Sequence, residues 1–337
     1  MTSVSLSPYL QALETFMQEM VPDRADGYHG LYGMLRYHLG WADRDLQPVT
    51  LPAGKRLRPL LLLLACEAQG GDWRQALPAA AALELLHNFT LIHDDIEDGD
   101  RLRRGRETLW VVWGLPQALN AGDTLFTLAY QALLRLTPDL PAALTLEAFQ
   151  RFNATVVRIT EGQYLDIGFE SQAEVSVEAY LEMISGKTAA LIALACELGG
   201  LLAQAPAEQQ MALRDYGQAL GMAFQIEDDL LGLWGDPQRT GKPVGSDLLR
   251  RKKSLPILHG LAHSAELQAL WTASAPDEAW VTRALAALEA AGSRDYAQAL
   301  AADWHMRALQ ALACTRGQGP AQDALYELTQ QLLGRTA

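Results

Sequence analysis

The spacing of apolar residues is the feature that most constrains this fold, because they recur every three to four positions along almost the whole chain. That spacing gathers apolar side chains on one face of a helix, whereas the alternation typical of a strand is nearly absent. Glycines and prolines tend to fall between the periodic segments. We therefore predict an all-α protein. The expected helices cover residues 7–21, 28–41, 56–69, 75–98, 107–114, 117–135, 141–169, 176–186, 188–203, 207–235, 255–262, 265–272, 276–290, 293–313 and 320–333.

The end of the helix predicted at 75–98 carries a dense run of charge. The acidic residues of this run follow an apolar stretch and comprise Asp94, Asp95, Glu97, Asp98 and Asp100. Four of the next six residues are arginines. On a helix, Asp94 and Asp98 lie one turn apart on one face, and His87 lies on that face two turns earlier. Carboxylates bind hard cations and arginines bind anions, although such a run alone is equally typical of a solvated helix end.

A second acidic helix end occurs in the segment predicted at 207–235. Glu227, Asp228 and Asp229 follow an apolar run there, and Gln225 precedes Asp229 by one turn. The two acidic ends are too far apart in the chain to belong to one local calcium-binding loop. Mg²⁺ is bound by a few carboxylates together with waters and substrate phosphates. We therefore expect a single domain, residues 1–337, in which a helical bundle surrounds a central cavity and both acidic ends lie at its rim.

The acidic balance of the chain limits its partners. With 40 acidic against 27 basic residues the formal net charge is -13, which argues against general binding of nucleic acids. The three cysteines are widely separated and have no zinc-binding spacing, so we expect buried thiols in a reducing compartment. The N-terminus lacks the basic start and apolar core of a signal peptide. The longest apolar run, about 188–203, is shorter than the ~20 residues that span a bilayer, so we predict a cytoplasmic protein without a membrane span.

Short basic groups beside glycine or proline complement the acidic ends. They lie at 54–59, 103–105, 186–188, 241–242 and 250–253. Each group alone is better explained as solvated surface. Together, in so acidic a chain, they favour a site for a phosphorylated anion, which arginine binds through parallel hydrogen bonds and lysine as a point charge.

Five motifs now stand in a fixed order along the chain. They are GKRLRP at 54–59, LLHNFTLIHDDIEDGDRLRRG at 85–105, EGQYLD at 161–166, GKTA at 186–189 and FQIEDDLLGLWGDPQRTGKPVGSDLLRRKKSLP at 224–256. In this order the motifs resemble the all-trans prenyl diphosphate synthases of the polyprenyl synthetase family. The resemblance implies an isoprenoid-synthase-type helical bundle, a homodimer, and a Mg²⁺-dependent condensation of isopentenyl diphosphate with an allylic diphosphate.

The resemblance also assigns roles to individual residues. Three Mg²⁺ ions on the allylic diphosphate would be bound by Asp94, Asp98 and Asp228, with Asp95 and Asp229 as supporting neighbours. The same diphosphate would contact Arg103, Lys187, Gln225 and Lys242. Isopentenyl diphosphate would contact Lys55, Arg58, His87, Arg104 and Lys252. Gln163 and Asp166 would line the site, and the catalytic group would comprise Lys187, Thr188 and Gln225, with Thr188 near the reacting carbon.

Product length is expected to depend on the helical turn before the first acidic run. Phe89 lies five residues before Asp94, which is about 7.5 Å along a helix axis, and the small Thr90 lies one turn below Asp94. One bulky ring beside a small side chain suggests a cavity floor of intermediate depth. This pattern is most similar to geranylgeranyl diphosphate synthases, with farnesyl diphosphate as the next product, while Phe89 as an ordinary core residue stays open.

Two departures from the family pattern leave alternatives open. Gly232 stands where a third aspartate is usual, which puts binding of the third metal ion in doubt, and Glu107 replaces a common proline. A class I terpene cyclase would ionise a prenyl diphosphate without isopentenyl diphosphate, but the residues assigned to that second substrate are all present. A non-catalytic partner subunit would explain Gly232, but the first acidic run is intact.

Overall fold

The computed structural model describes residues 5–52, 54–137, 139–236, 244–272 and 277–333. Within these ranges the regular structure is almost entirely helical, which confirms the all-α prediction. The helices are α1 (Ser7–Met20), α2 (His29–His38), α3 (Leu57–Ala68), α4 (Leu77–Glu97), α5 (Leu109–Trp113), α6 (Leu115–Leu134), α7 (Ala142–Ser171), α8 (Val177–Ile184), α9 (Ala190–Leu202), α10 (Ala207–Trp234), α11 (Ser246–Leu249), α12 (Leu255–His263), α13 (Ala265–Thr272), α14 (Glu278–Ala290), α15 (Ser293–Cys314) and α16 (Gly319–Leu333).

Three local features differ from the sequence prediction. Residues 99–106, expected to be irregular, contain a hairpin of β1 (Leu102–Arg103) and β2 (Arg106–Glu107), because its two turn residues both adopt positive φ. The irregular stretch expected at 235–254 includes α11. The break expected between α8 and α9 is instead a π-helical turn, Ser185–Ala189, which joins the two helices.

The described backbone forms two compact units. The first unit comprises the described residues of 1–150, 198–205 and 318–322. The second comprises those of 151–197, 206–317 and 323–337. The single domain over 1–337 therefore stays a prediction.

Helix α4 is the central element of the first unit. It packs along α6 and also against α1 and α3. Its residues from Pro78 to Leu86 are all buried, and the run Leu60–Ala65 of α3 is buried as well. A helix that is apolar on every side belongs in a core. Only the C-terminal end of α4 leaves the core, so the acidic run comes to the surface at the end of a rigid helix.

Helix α10 is the central element of the second unit, where it packs along α15 and against the π-helical turn. Its buried apolar residues Met222, Ile226 and Leu230 join a core cluster with Tyr180 of α8 and Leu258 of α12. The second acidic run therefore also lies at the end of a core helix. In both units the acidic end is fixed by apolar burial along the rest of the helix.

One helical stretch in the described chain, Val177–Leu202, is long and apolar enough to cross a membrane. It is 72% buried inside the protein, as a core helix would be, so it is weak evidence for a membrane span. Cys66 and Cys196 are buried as expected, but Cys314 is exposed, which corrects the prediction for that residue. Its position near the end of α15 places it outside the packed face.

The π-helical turn packs so closely against α7 that the facing residue of α7 must be glycine. A Cβ on Gly162 of α7 would overlap the backbone nitrogen of Lys187 and lie 2.8 Å from its Cα. We expect Gly162→Ala to destabilise the protein by about 1–3 kcal/mol through overpacking. Gly168→Ala is the matched control, because its Cβ would meet only the end of Gln172 at 3.7 Å. This control should be neutral or stabilising by up to about 1 kcal/mol. Thermal unfolding measured by circular dichroism compares the two, and equal effects would contradict the proposed contact.

Candidate active site

The adjacent aspartates at the end of α4, Asp94 and Asp95, lie in different environments. Asp95 is buried and its Oδ1 accepts a hydrogen bond from Arg103 Nε at 2.7 Å. Burial raises the pKa of Asp95 to about 6, and the Arg103 guanidinium opposes this shift. Asp94 is half-buried and Asp98 is exposed, and the backbone N–H of Asp98 donates to the carbonyl of Asp94 at 2.8 Å. The buried carboxylate holds the hairpin, while the other two lie on a different face of the helix.

The hairpin that carries the arginines is fixed at several points. The two guanidinium nitrogens of Arg106 donate to the carbonyls of Tyr37 at 2.8 Å and Ala42 at 2.9 Å. Thr108 Oγ1 and Trp110 Nε1 each donate to the Asp100 carbonyl at 2.9 Å. Arg106 is therefore structural. The neighbouring arginines of the hairpin, Arg103 and Arg104, are held by a rigid support.

The basic side chains of the segment 54–59 also lie in two different environments. Arg56 is buried and forms an ion pair with Glu84 at 2.7 Å. Lys55 is exposed, and Arg58 Nη1 lies 3.1 Å from His87 Nε2. Arg56 therefore stabilises the core. Of the predicted binding residues, Lys55 is exposed, whereas Arg58 and His87 are half-buried.

An open pocket in the first unit contains three arginines and two carboxylates. Its lining includes Arg103, Arg104, Arg106, Asp95 and Glu107 together with His38 of α2, a residue that no sequence motif indicated. Burial lowers the pKa of His38 well below its ordinary value, and the nearby arginines lower it further. Burial followed by the Arg58 charge lowers the pKa of His87 in the same way. Both imidazoles are therefore neutral at pH 7, and the arginines carry the positive charge that would attract a diphosphate.

The aspartate pair at the end of α10 repeats the division seen on α4. Asp229 is buried and accepts hydrogen bonds from the Tyr180 hydroxyl and from the backbone N–H of Leu255 at 3.1 Å. Burial raises the pKa of Asp229 to about 6, and the charge of Lys252 is the largest opposing influence. Asp228 is half-buried and lies on another face of the helix.

The π-helical turn brings three of the sequence motifs together in the second unit. Lys187 on this turn forms an ion pair with Asp166 of α7. Thr188 Oγ1 donates to Gln225 Oε1 at 2.9 Å, and Gln225 Nε2 donates to Asp229 Oδ1 at 3.2 Å. Turns of this type are frequent at functional sites, because they change which side chains face the neighbouring helices. The predicted residues of EGQYLD, GKTA and FQIEDD thus form one connected set.

Three further predicted residues have simple placements. Gln163 is half-buried on α7, and Lys252 is exposed after α11. Lys242 lies outside the described residues. For these positions the assigned roles remain predictions.

Of the two proposed chain-length residues, Phe89 contacts α6. The Phe89 ring lies 4.8 Å from the ring of Phe126 and 4.6 Å from that of His93, centroid to centroid. Thr90 Oγ1 donates to the carbonyl of His87 at 2.8 Å. Phe126 was missed from the sequence, because nothing in its local spacing reveals which face of α6 meets α4.

The donor chemistry of the acidic ends fits Mg²⁺ together with a phosphorylated ligand. Among the described residues, no three His, Cys, Asp or Glu side chains lie close enough together to hold a metal ion. Mg²⁺ commonly binds one or two carboxylates and completes its shell with waters and substrate phosphates. Asp94, Asp98 and Asp228 offer the hard oxygen ligands that this ion requires.

Comparison with known proteins places these observations in a family. The family model described as Polyprenyl synthetase matches residues 41–289. The geranylgeranyl diphosphate synthase of Mycobacterium tuberculosis is 44% identical over 284 residues, 83% of this chain and 80% of that protein. The (2E,6E)-farnesyl diphosphate synthase of Mycobacterium bovis is 46% identical over 242 residues, 72% of this chain and 66% of that protein.

A solved structure gives the same result for the fold. The polyprenyl synthase from Caulobacter crescentus CB15, complexed with calcium and isoprenyl diphosphate, matches with a TM-score of 0.81 and 32% identity. The match covers 100% of each chain, and it confirms the predicted isoprenoid-synthase-type helical fold. The family model and the two relatives likewise confirm the resemblance found in the motifs. This chain therefore belongs to the polyprenyl synthetase family.

Proposed function

We propose that this chain condenses isopentenyl diphosphate with an allylic diphosphate in a Mg²⁺-dependent reaction whose main product is geranylgeranyl diphosphate. As a member of its family, the chain is a short-chain trans-prenyltransferase. The proposal adds the product length, the metal and the roles of single residues. Farnesyl diphosphate is the next choice of product, since one relative is named for it.

The division of each aspartate pair is the observation that carries the assignment. Asp95 and Asp229 are buried and occupied by internal hydrogen bonds. Asp94 and Asp228 are half-buried and Asp98 is exposed, and all three lie on other faces of the same helix ends. We assign these three aspartates as ligands of three Mg²⁺ ions. When bound, Mg²⁺ neutralises the charge that develops on the departing diphosphate.

The leaving diphosphate is held by basic and amide groups of the chain. Arg103, Lys187, Gln225 and Lys242 have this role in the proposal. Lys187 is oriented by Asp166, so its ammonium group does not have to be ordered when substrate binds. Arg103 is oriented by Asp95 in the same way.

Thr188 is placed to stabilise positive charge on the reacting carbon. Its hydroxyl proton is used in the hydrogen bond to Gln225, so the lone pairs of its oxygen remain for a cation. The Lys187 carbonyl provides a second dipole. Fixed dipoles in a site without water stabilise such charge without reorganisation.

Isopentenyl diphosphate is assigned to Lys55, Arg58, His87, Arg104 and Lys252. His87 is neutral and its Nε2 accepts from Arg58 Nη1, which orients the guanidinium. The low pKa of His87 therefore leaves the arginines and lysines to supply the charge, and the imidazole to supply orientation. Gln163 and Asp166 line the allylic site.

One assay tests the activity against both alternatives. The purified chain is incubated with Mg²⁺, labelled isopentenyl diphosphate and a C5, C10 or C15 allylic diphosphate, and the products are sized. We expect a linear C20 diphosphate. Cyclised hydrocarbon without isopentenyl incorporation would identify a terpene cyclase, and no turnover by the isolated chain would favour a partner subunit. Light scattering after size-exclusion chromatography tests the expected homodimer.

The opposite placements of Lys55 and Arg56 give a prediction that separates binding from stability. Lys55→Gln should leave the unfolding temperature unchanged and raise the KM for isopentenyl diphosphate, because the side chain is exposed. Arg56→Gln should cost about 3–5 kcal/mol of stability, because it leaves Glu84 buried without its ion pair. Thermal unfolding and steady-state kinetics on both variants measure this. A large stability loss in Lys55→Gln would refute the assignment.

The floor of the product cavity gives a second prediction. Phe89→Ala should lengthen the main product by at least one isoprene unit, because it removes the ring that contacts Phe126. Phe16→Ala removes an equal ring from α1, where Phe16 lies under Arg135, and should leave the product length unchanged. Reverse-phase chromatography of the dephosphorylated products measures both. An unchanged profile in Phe89→Ala would make Phe89 an ordinary core residue.

A further inference from the structure

Two histidines lie one helical turn apart at the end of α12, in the second unit. His263 follows His259 by four positions, so both side chains lie on one face of the helix. Their rings are stacked, with centroids 4.2 Å apart and planes inclined by 20°. The ring of Tyr296 on α15 stacks on His259 as well, at 4.3 Å. The stack therefore holds two imidazoles side by side at a place that none of the five sequence motifs covers.

Each imidazole uses its Nδ1 in a contact with the protein. His263 Nδ1 donates to the carbonyl of His259 at 2.8 Å, because a carbonyl oxygen can only accept. His259 Nδ1 lies 3.1 Å from the Oγ of Ser293, which is fully buried and can accept in the same way. Within the described part of the chain, neither Nε2 has a hydrogen-bond partner. His263 therefore has its lone pair on Nε2, and His259 can adopt the same tautomer.

The surroundings of the two histidines favour metal binding. Helix α12 packs closely on α15 at Gly260, where a Cβ would lie 3.1 Å from Ser293 Oγ. Burial lowers the pKa of His259, and the charge of His263 lowers it further, so His259 is neutral at pH 7. His259 is half-buried, whereas His263 is exposed to ions in solution. Metal ions bind neutral imidazoles, and those whose other nitrogen is fixed by a hydrogen bond bind best.

We propose that His259 and His263 form a binding site for a divalent transition metal ion of the Zn²⁺ class, with both Nε2 atoms as ligands. Two histidines four residues apart on one helix also bind zinc in the HExxH motif. Zn–N bonds of about 2.0–2.1 Å place two ligand nitrogens about 3–3.5 Å apart. Rings stacked at 4.2 Å reach that separation by small side-chain rotations. The inference goes beyond the proposed function and does not depend on it.

The type of ligand distinguishes this site from the acidic helix ends. Imidazole nitrogen suits Zn²⁺, Ni²⁺ and Cu²⁺, whereas carboxylate and phosphate oxygens suit Mg²⁺. Among the described residues, no third His, Cys, Asp or Glu completes the group. Water or an external ligand would occupy the remaining positions, so the site is open and exchangeable, unlike a structural zinc centre with four protein ligands. The ion would join the last turn of α12 and, through the contact of His259 with Ser293, connect it to α15.

Titration of the full chain with Zn²⁺, without a histidine tag and with excess Mg²⁺ present, tests the proposal by calorimetry. We expect His263→Gln to weaken Zn²⁺ binding at least about 10-fold, because it removes one of two ligands at an exposed position. His29→Gln is the matched control. His29 is also exposed and its Nδ1 lies 2.7 Å from the carbonyl of Arg24, but no histidine lies one turn away. This control should leave the Zn²⁺ affinity unchanged.

Cu²⁺ gives a second readout that counts the ligands. The electron paramagnetic resonance spectrum should show coupling to two imidazole nitrogens in the unmodified chain and to one in His263→Gln. Ser293→Ala keeps both ligands and removes the oxygen that orients His259, so it should retain two nitrogens and bind more weakly. A stability loss in His263→Gln without a change in the nitrogen count would make the stack purely structural and overturn the proposal.

The outcomes separate this site from the proposed function. Equal Zn²⁺ binding by His263→Gln and His29→Gln would overturn the metal site, whether or not the chain makes prenyl diphosphates. Product formation with Mg²⁺ should be the same in His263→Gln and in the unmodified chain. A chain that binds Zn²⁺ through these histidines but forms no product would support this site while the proposed function fails.

Discussion

The buried carboxylates Asp95 and Asp229 are the constraint on which the geometry of each acidic helix end depends. A buried charge that loses its partners costs several kcal/mol, so each of these groups must keep its hydrogen bonds. Asp95 keeps Arg103, and Asp229 keeps Tyr180 and the Leu255 N–H. These bonds fix the rotation of each helix end. The adjacent aspartate, about 100° further round the helix, is thereby given a fixed direction.

Close backbone contacts likewise fix the orientation of the groups assigned to the reacting carbon. The π-helical turn lies so close to α7 and α10 that Gly162 and Gly221 cannot carry a side chain without overlap. From this turn Thr188 reaches Gln225, which is held in turn by Asp229. A chain of hydrogen bonds on rigid elements orients dipoles before substrate binds, which is the condition for strong electrostatic stabilisation.

Local spacing was sufficient to predict the helices and the charged motifs, but not the direction of each side chain. The helix bounds agree to within a few residues, because apolar periodicity reports burial directly. In contrast, nothing local distinguishes Arg56, which faces the core, from the exposed Lys55. His38 and Phe126 were missed for the same reason: each becomes significant only through a neighbour on another helix.

The net charge of -13 and the proposed binding of two diphosphates are compatible, because charge acts over short distances in salt solution. Screening limits an exposed charge to about 8–10 Å, so a ligand responds to the groups lining its pocket rather than to the whole chain. In the first unit those groups include Arg103 and Arg104, with His38 kept neutral by burial beside them. At the acidic helix ends, the divalent cations proposed to bind there would reverse the local sign. An acidic protein can therefore bind one diphosphate through arginines and the other through metal ions, and this chain has residues suited to each.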